Sequence, residues 1–378
     1  MTVFATADVA VLDRTFPGDT DIVVVTFPAR TERQGLHRKG FGEDYFAKHR
    51  ISTVLVKAGW NHWFQVPEAE AAIAAIQAIT QRFRRVVTYG SSMGGYAAAL
   101  WSGALAADAI IAVSPQFSID RGKMHREKRW AEDARKLSFT RDDMAAGINP
   151  AAQLNLLYDP FTPDLEHARR LLALSADPRP LRIPFGGHPA GAFLRDAGCL
   201  SEIILGLVRD GLGPAEARAI VRRSRRSTAV YWANSAAMLT HRRRALALAA
   251  IAQAQALRSD NPGVHFRLGK ILTRLGQATE AAQAFAQAAT GKPSIASYHL
   301  EWGLSLLRLG QWDAAVRTLG TATSLDPRQF RAHAGLATAH LARQAFDEAS
   351  EALDRAAAID PEEPTVVRLR GQLARQVI

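Results

Sequence analysis

Apolar positions follow two different rhythms along the chain. Up to about residue 211, short apolar runs alternate with helical patterns. Asp21–Phe27 (DIVVVTF) is a near-continuous β-branched run, the pattern of a strand covered on both faces. Ile51–Lys57, Val86–Tyr89, Asp108–Val113, Leu154–Tyr158 and the short Leu181–Phe185 read as further strands, and residues 2–12 alternate weakly, as one or two edge strands do. Apolar residues at helical spacing mark Pro67–Phe83 (Ala71, Ile73, Ile76, Ile79), the Ala-rich run after Gly94, Asp164–Leu174 and residues 189–210. Strand and helix in this alternation predict a mostly parallel α/β sheet with right-handed crossovers.

From residue 212 the period is helical throughout, and a repeat of 34 residues runs through Pro293, Pro327 and Pro361 and through His265, His299 and His333. Ala281, Ala315 and Ala349 keep the same register, as do Phe285, Leu319 and Leu353, and Ala288, Ala322 and Ala356. Leu275-Gly276 recurs as Leu309-Gly310 and decays to Arg343-Gln344. Small alanines permit close approach of paired helices while the large position fills the gap between them. This pattern resembles tetratricopeptide repeats. It predicts an all-α solenoid with repeats at 262–295, 296–329 and 330–363, a degenerate helical pair over 213–261 and a capping helix at 364–378. The expected domains are therefore 1–211 and 212–378. A solenoid of this type presents a groove for a protein partner. The recurrent histidines are expected to pack within the repeat rather than to bind metal.

The stretch with most chemistry is RRVVTYGSSMGGYAAAL, Arg84–Leu100. Gly90-Ser91-Ser92-Met93-Gly94 is a G-x-S-x-G turn between a strand and a helix, the context a nucleophile elbow requires. Ser92 would project above the sheet, and side chains at Gly90 and Gly94 would collide with their surroundings. The Met93 N–H would face a developing oxyanion, helped by the helix dipole. A phosphate-binding loop is excluded because Gly95 is followed by Tyr96 rather than Lys, and no G-x-G-x-x-G is present. Asp159 ends a strand and His188 follows Gly186-Gly187, so Ser92, Asp159 and His188 stand in the chain order nucleophile, acid, histidine. Asp164 is the rival acid. His167 lies inside a helical pattern and reads as a surface or packing residue. Phe27 or Ala29 would supply the second oxyanion donor, since Pro28 has no N–H. Asn61, His62 and Trp63 either line the pocket or form a packed loop. The basic, Trp-containing stretch from Ser114 to about Ala146 sits where a lid or substrate-binding excursion belongs.

On these residues the first half resembles the α/β-hydrolase superfamily. Within it, the chain is similar to a bacterial group carrying the TYGSSMGGYAA elbow, Ser114-Pro115-Gln116, Ser118-Ile119-Asp120 and Arg129-Trp130. The resemblance implies an eight-stranded core and serine-nucleophile chemistry and does not fix a substrate; the expected reaction is cleavage of an ester or related acyl bond in a small-molecule or glycan-linked substrate. The resemblance also points to a setting in cell-surface glycan or secretion pathways. Transfer of the acyl group to a hydroxyl is the nearest variant. An inactive hydrolase-fold adaptor is the alternative, motivated by the absence of an HGG-type oxyanion loop.

Composition narrows the picture only a little. Of 378 residues, 48% are hydrophobic and 22% charged, ordinary for a globular chain. Cys199 is the single cysteine, which excludes an intrachain disulfide and Cys-rich metal sites, and no cofactor is expected. The N-terminus acquires Asp8 and Asp13 early, unlike a signal peptide, and no apolar run has membrane-spanning length, so a cytoplasmic location is expected. Most of the net charge of +11 falls in residues 212–378, with 22 Lys and Arg against 13 Asp and Glu. Arg218, Arg222, Arg223, Arg225, Arg226, Arg242, Arg243 and Arg244 have no acid among them, as in a solvated helix face or an anionic docking surface. No nucleic-acid motif accompanies them, so no nucleic-acid partner is expected.

Overall fold

The computed structural model describes residues 1–31, 35–239, 243–257 and 259–376, and divides into two compact units, Met1–Tyr231 and Trp232–Ile378. Arg242, one of the clustered arginines, lies outside the described residues.

The first unit is built on eight strands: β1 (Thr2–Ala5), β2 (Val9–Arg14), β3 (Ile22–Phe27), β4 (Ser52–Ala58), β5 (Arg85–Ser91), β6 (Ala109–Val113), β7 (Gln153–Tyr158) and β8 (Asp177–Arg182). They form one sheet in the order β1-β2-β4-β3-β5-β6-β7-β8. The pairings of β1 with β2 and of β2 with β4 are antiparallel, and every other pairing is parallel. Helices α1 (Glu43–Lys48), α2 (Ala69–Thr80), α3 (Met93–Leu100), α4 (Ala131–Ala134), α5 (Met144–Gly147), α6 (Asp164–Leu172), α7 (Ala190–Asp196), α8 (Leu200–Val208) and α9 (Pro214–Ser224) complete the layers. The inner strands β3, β5, β6 and β7 are buried almost throughout, which explains their unbroken apolar runs.

Three expectations shift. β8 starts four residues before Leu181 and ends at Arg182, taking in Pro178 and Pro180. It is an edge strand paired only with β7, and prolines two apart put their missing N–H groups on one side, the open edge. The helix expected over 189–210 is two helices, broken where Gly198 takes φ 70°. The first unit also runs past the expected boundary at 211, because α9 packs against β8 instead of joining the repeats.

Beyond α9 come α10 (Ala229–Leu239), across which the division falls, and α11 (Arg244–Ala256). Three helix pairs follow: α12 (Pro262–Arg274) with α13 (Ala278–Gly291), α14 (Ala296–Arg308) with α15 (Trp312–Leu325), and α16 (Phe330–Ala342) with α17 (Phe346–Ile359). Helix α18 (Pro364–Ala374) packs on α17. The small/large logic is literal here. A Cβ at Gly269 would fall 2.6 Å from the Phe285 ring, and one at Gly303 would fall 2.5 Å from Leu319. The repeated histidines tie down the turns between repeats: Nε2 of His265, His299 and His333 donates to the carbonyls of Ser259, Pro293 and Pro327 at 2.7, 2.9 and 2.9 Å. Among the described residues no helix is long and apolar enough to cross a membrane.

Candidate active site

Ser92 sits between the end of β5 and the start of α3 with φ 53° and ψ −118°. A positive φ at a non-glycine residue costs roughly 1–3 kcal/mol and persists only where the surroundings enforce it. Here the Ser92 N–H donates to the Val113 carbonyl at 2.8 Å, and the Ser92 carbonyl accepts from the Tyr96 N–H at 3.0 Å. The flanking glycines are required. A Cβ at Gly90 would lie 2.1 Å from the Gly94 carbonyl oxygen, and one at Gly94 would lie 2.2 Å from that of Phe27.

The Ser92 hydroxyl lies 3.0 Å from Nε2 of His188, and Nδ1 of His188 lies 2.9 Å from one oxygen of Asp164 and 3.1 Å from the other. A ring nitrogen facing a carboxylate carries the proton, so Nδ1–H donates to Asp164 and Nε2 is free to accept from Ser92. Ser92 is 4% exposed and the Asp164 side chain fully buried, which removes competing water. Gln116, also buried, places Oε1 3.4 Å from the Ser92 hydroxyl.

Of the two candidate acids it is Asp164, not Asp159, that reaches His188. Asp159 is turned to the backbone, accepting N–H groups from Phe161 at 2.9 Å, Gly187 at 2.8 Å and Phe185 at 3.3 Å. Directly ending a strand therefore makes Asp159 a loop clamp, while the chain needs the turn through Pro160–Pro163 to bring a carboxylate over to the histidine. Burial raises the Asp159 carboxyl, and the charge of Asp164 adds to this against the three backbone bonds. Burial pushes Asp164 up as well. Its bond to His188 and the Arg129 guanidinium outweigh this and hold it below the usual carboxylate range. Asp164 also opens α6, where the helix dipole favours negative charge.

Met93 is the first residue of α3, so its N–H is one of those without a partner inside the helix. Phe27 remains in the sheet opposite Gly90, its ring edge-on to Phe64 and Trp101. The strand ladder ends at Phe27, and the backbone leaves it from Pro28. His62 and Trp63 are packed-loop residues: the His62 ring lies 3.0 Å from the Asp8 carbonyl, and Trp63 donates to Asp133. Burial lowers the pKa of His62. Asn61 clamps Thr31, donating to its carbonyl and accepting its N–H.

The excursion after β6 reaches the site through Trp130, whose ring centre is 5.6 Å from that of His188. Arg30 and Arg129 stand at 5.4 and 5.7 Å over the same indole. His167, on α6, is wholly buried rather than on the surface, with Nε2 2.9 Å from Glu127. Sequence reasoning gave Glu127 no role, and Arg129-Trp130 was visible only as part of a resemblance.

A family profile described as tetratricopeptide repeat matches residues 233–294 and 300–364, so the C-terminal helical array consists of these repeats. Among solved structures, YrrB, titled a TPR protein with an unusual peptide-binding site, is 18% identical over 47% of this chain and 90% of that chain, with a TM-score of 0.37. MamA from Desulfovibrio magneticus RS-1 is 22% identical, covering 39% of this chain and 86% of that chain, with a TM-score of 0.34. The first TPR of Spaghetti (RPAP3), bound to an HSP90 peptide, is 17% identical over 32% of this chain and 94% of that one, with a TM-score of 0.30. No curated protein matches the chain.

Proposed function

We propose that the first unit is a serine hydrolase of the α/β-hydrolase type and that the tetratricopeptide repeats bring it to a protein partner. The observation that carries this reading is the continuous path from the Ser92 hydroxyl to His188 Nε2 at 3.0 Å and from His188 Nδ1 to Asp164 at 2.9 Å. Ser92, Asp164 and His188 keep the chain order nucleophile, acid, histidine, and each follows a strand of a mostly parallel eight-stranded sheet, which supports the fold assignment. In this reading His188 Nε2 takes the hydroxyl proton as Ser92 attacks the acyl carbonyl, and Asp164 stabilises the imidazolium. The oxyanion develops at the N-terminus of α3, beside the Met93 N–H. His188 then protonates the leaving alkoxide. A water deprotonated by the same ring cleaves the Ser92 ester, returning serine and releasing the acid. An acceptor hydroxyl in place of that water would give acyl transfer. The substrate class is an acyl ester, free or glycan-linked.

Labelling the full chain with a fluorophosphonate probe tests the proposal. Reaction should be lost in Ser92→Ala and fall steeply in His188→Ala. A folded wild-type chain that resists the probe would sink the hydrolase reading.

A further inference from the structure

Asp164 is gripped from two directions. His188 Nδ1 lies nearest one oxygen, at 2.9 Å, while Arg129 Nη1 donates at 2.7 Å to the other, which His188 meets at 3.1 Å. The opposite edge of the same guanidinium holds Glu127, with Nε 3.0 Å from both carboxylate oxygens and Nη2 2.5 Å from Oε2. Glu127 in turn meets His167 Nε2 at 2.9 Å. Nδ1 of His167 accepts the Phe117 N–H at 3.0 Å, so its proton is on Nε2 and the ring is a neutral donor. Glu127, His167 and Asp164 have side chains 2%, 1% and 0% exposed. One cation therefore stands between two buried carboxylates.

A buried ion pair adds little net stability compared with apolar packing, so holding the excursion on α6 does not by itself explain this arrangement. Its geometry does something an apolar contact could not: it holds Asp164 Oδ1, which His188 Nδ1 meets at 3.1 Å, and so presents Oδ2 to the same ring nitrogen at 2.9 Å. We propose that Arg129 is a positioning residue for the Ser92–His188–Asp164 relay, aimed by Glu127 and His167, and that it keeps the Asp164 carboxylate ionised. The catalytic consequence rests on the hydrolase reading; the hold on Asp164 does not. The titratable and charged groups bearing on Asp164 are His188, Arg129 and, within the β7–α6 turn, Asp159. Glu127 lies behind Arg129. Arg30, also over the Trp130 indole, is neutralised by Asp133 at 2.7 Å, and on α6 itself Glu166 pairs with Arg170.

The test follows Asp164 directly, in the full chain with Ser92→Ala and aspartate labelled with ¹³C at the side-chain carboxyl. The resonance is assigned by its loss in Asp164→Asn. Arg129→Gln should raise the titration midpoint of Asp164 by about one unit or more, the usual effect of removing an adjacent cation. Arg129→Lys should restore most of the shift. Glu127→Gln removes the competing carboxylate, so the midpoint should not rise. In the chain with Ser92 intact, Arg129→Gln should slow fluorophosphonate labelling and move the acid limb of its pH profile upward, and Arg129→Lys should recover both. Should Arg129→Gln fold poorly because it strands Glu127, the double variant Glu127→Gln/Arg129→Gln carries the same measurement. A midpoint within about 0.3 unit of the parent in either variant overturns the proposal. A wild type that does not label, in a chain where the Asp164 midpoint still moves, overturns the hydrolase reading alone.

Discussion

The Asp159 carboxylate accepts the Gly187 N–H at 2.8 Å, one residue before His188. Gly187 is held at φ 74° and Phe185, which shares the same carboxylate, at φ 63°. Asp159 therefore sets the path of the loop that delivers the imidazole, and Asp164 receives it. The two should separate in a mutational test. Asp164→Asn should cut fluorophosphonate labelling by about 10³–10⁴-fold, because the amide favours the wrong imidazole tautomer. Asp159→Asn should destabilise the fold by about 1–3 kcal/mol through a lost buried acceptor, with a much smaller loss of labelling. Equal losses of labelling in the two variants would contradict these separate roles.

Gly94 abuts the end of β3, and a methyl group there has no room because the obstacle is the Phe27 carbonyl, not a movable side chain. Gly94→Ala should destabilise the first unit by about 1–3 kcal/mol, the usual cost of overpacking. Gly320→Ala serves as the control. No heavy atom lies within 4 Å of a Cβ built at Gly320, so it should melt at or slightly above the wild-type temperature. Thermal unfolding followed by circular dichroism separates the two.

Glu127 links stability to pH. Burial raises its carboxyl, but His167 and Arg129 overcome this and bring it from an ordinary 4.5 to about 2. A folded-state value below the unfolded one means that its contribution is complete above the unfolded value, near pH 4.5. The contribution is lost as pH falls from there through about 2. At neutral pH this amounts to about 3 kcal/mol. Glu127→Gln should therefore lower stability near pH 7 and flatten its fall between about pH 5 and pH 2. Urea unfolding at several pH values reads both effects, and an unchanged slope would refute the linkage.

Gln344 occupies the turn that Gly276 and Gly310 fill in the preceding repeats. All three are left-handed, at φ 60°, 75° and 70°. The conformation outlasted the residue best suited to it. Gln344→Gly should stabilise the third repeat by about 1 kcal/mol, the approximate penalty for a side chain in that region. A rise in the unfolding midpoint of the full chain checks this, and a fall would mean that contacts of the glutamine outweigh the backbone strain.

Much of the fold was legible because its signals are local. The apolar runs of β3 and β5 follow from burial on both sheet faces, and the 34-residue period follows from identical helix pairs stacked in register. The glycines at 90 and 94 were readable because the elbow tolerates no side chain there. Elements whose limits depend on neighbours were less legible. Pro178 and Pro180 hid the start of β8, since only a strand at the sheet edge accepts them, and nothing local shows that a strand is at the edge. The end of the first unit was equally hidden, because α9 looks like any amphipathic helix until β8 supplies its partner.

The sequence by itself determined the two kinds of architecture, and it marked out the serine on the strand-to-helix turn and the histidine expected to face it, each through spacing within a few residues. The choice between Asp159 and Asp164 belonged to the tertiary structure, as did the use of Arg129, Glu127 and His167. Those residues meet across 35 to 40 positions of chain, and which carboxylate turns to the imidazole depends on where the loop after β7 releases its backbone N–H groups. Local pattern carries no record of that competition. Only packing all of the loops on one edge of the sheet decides it.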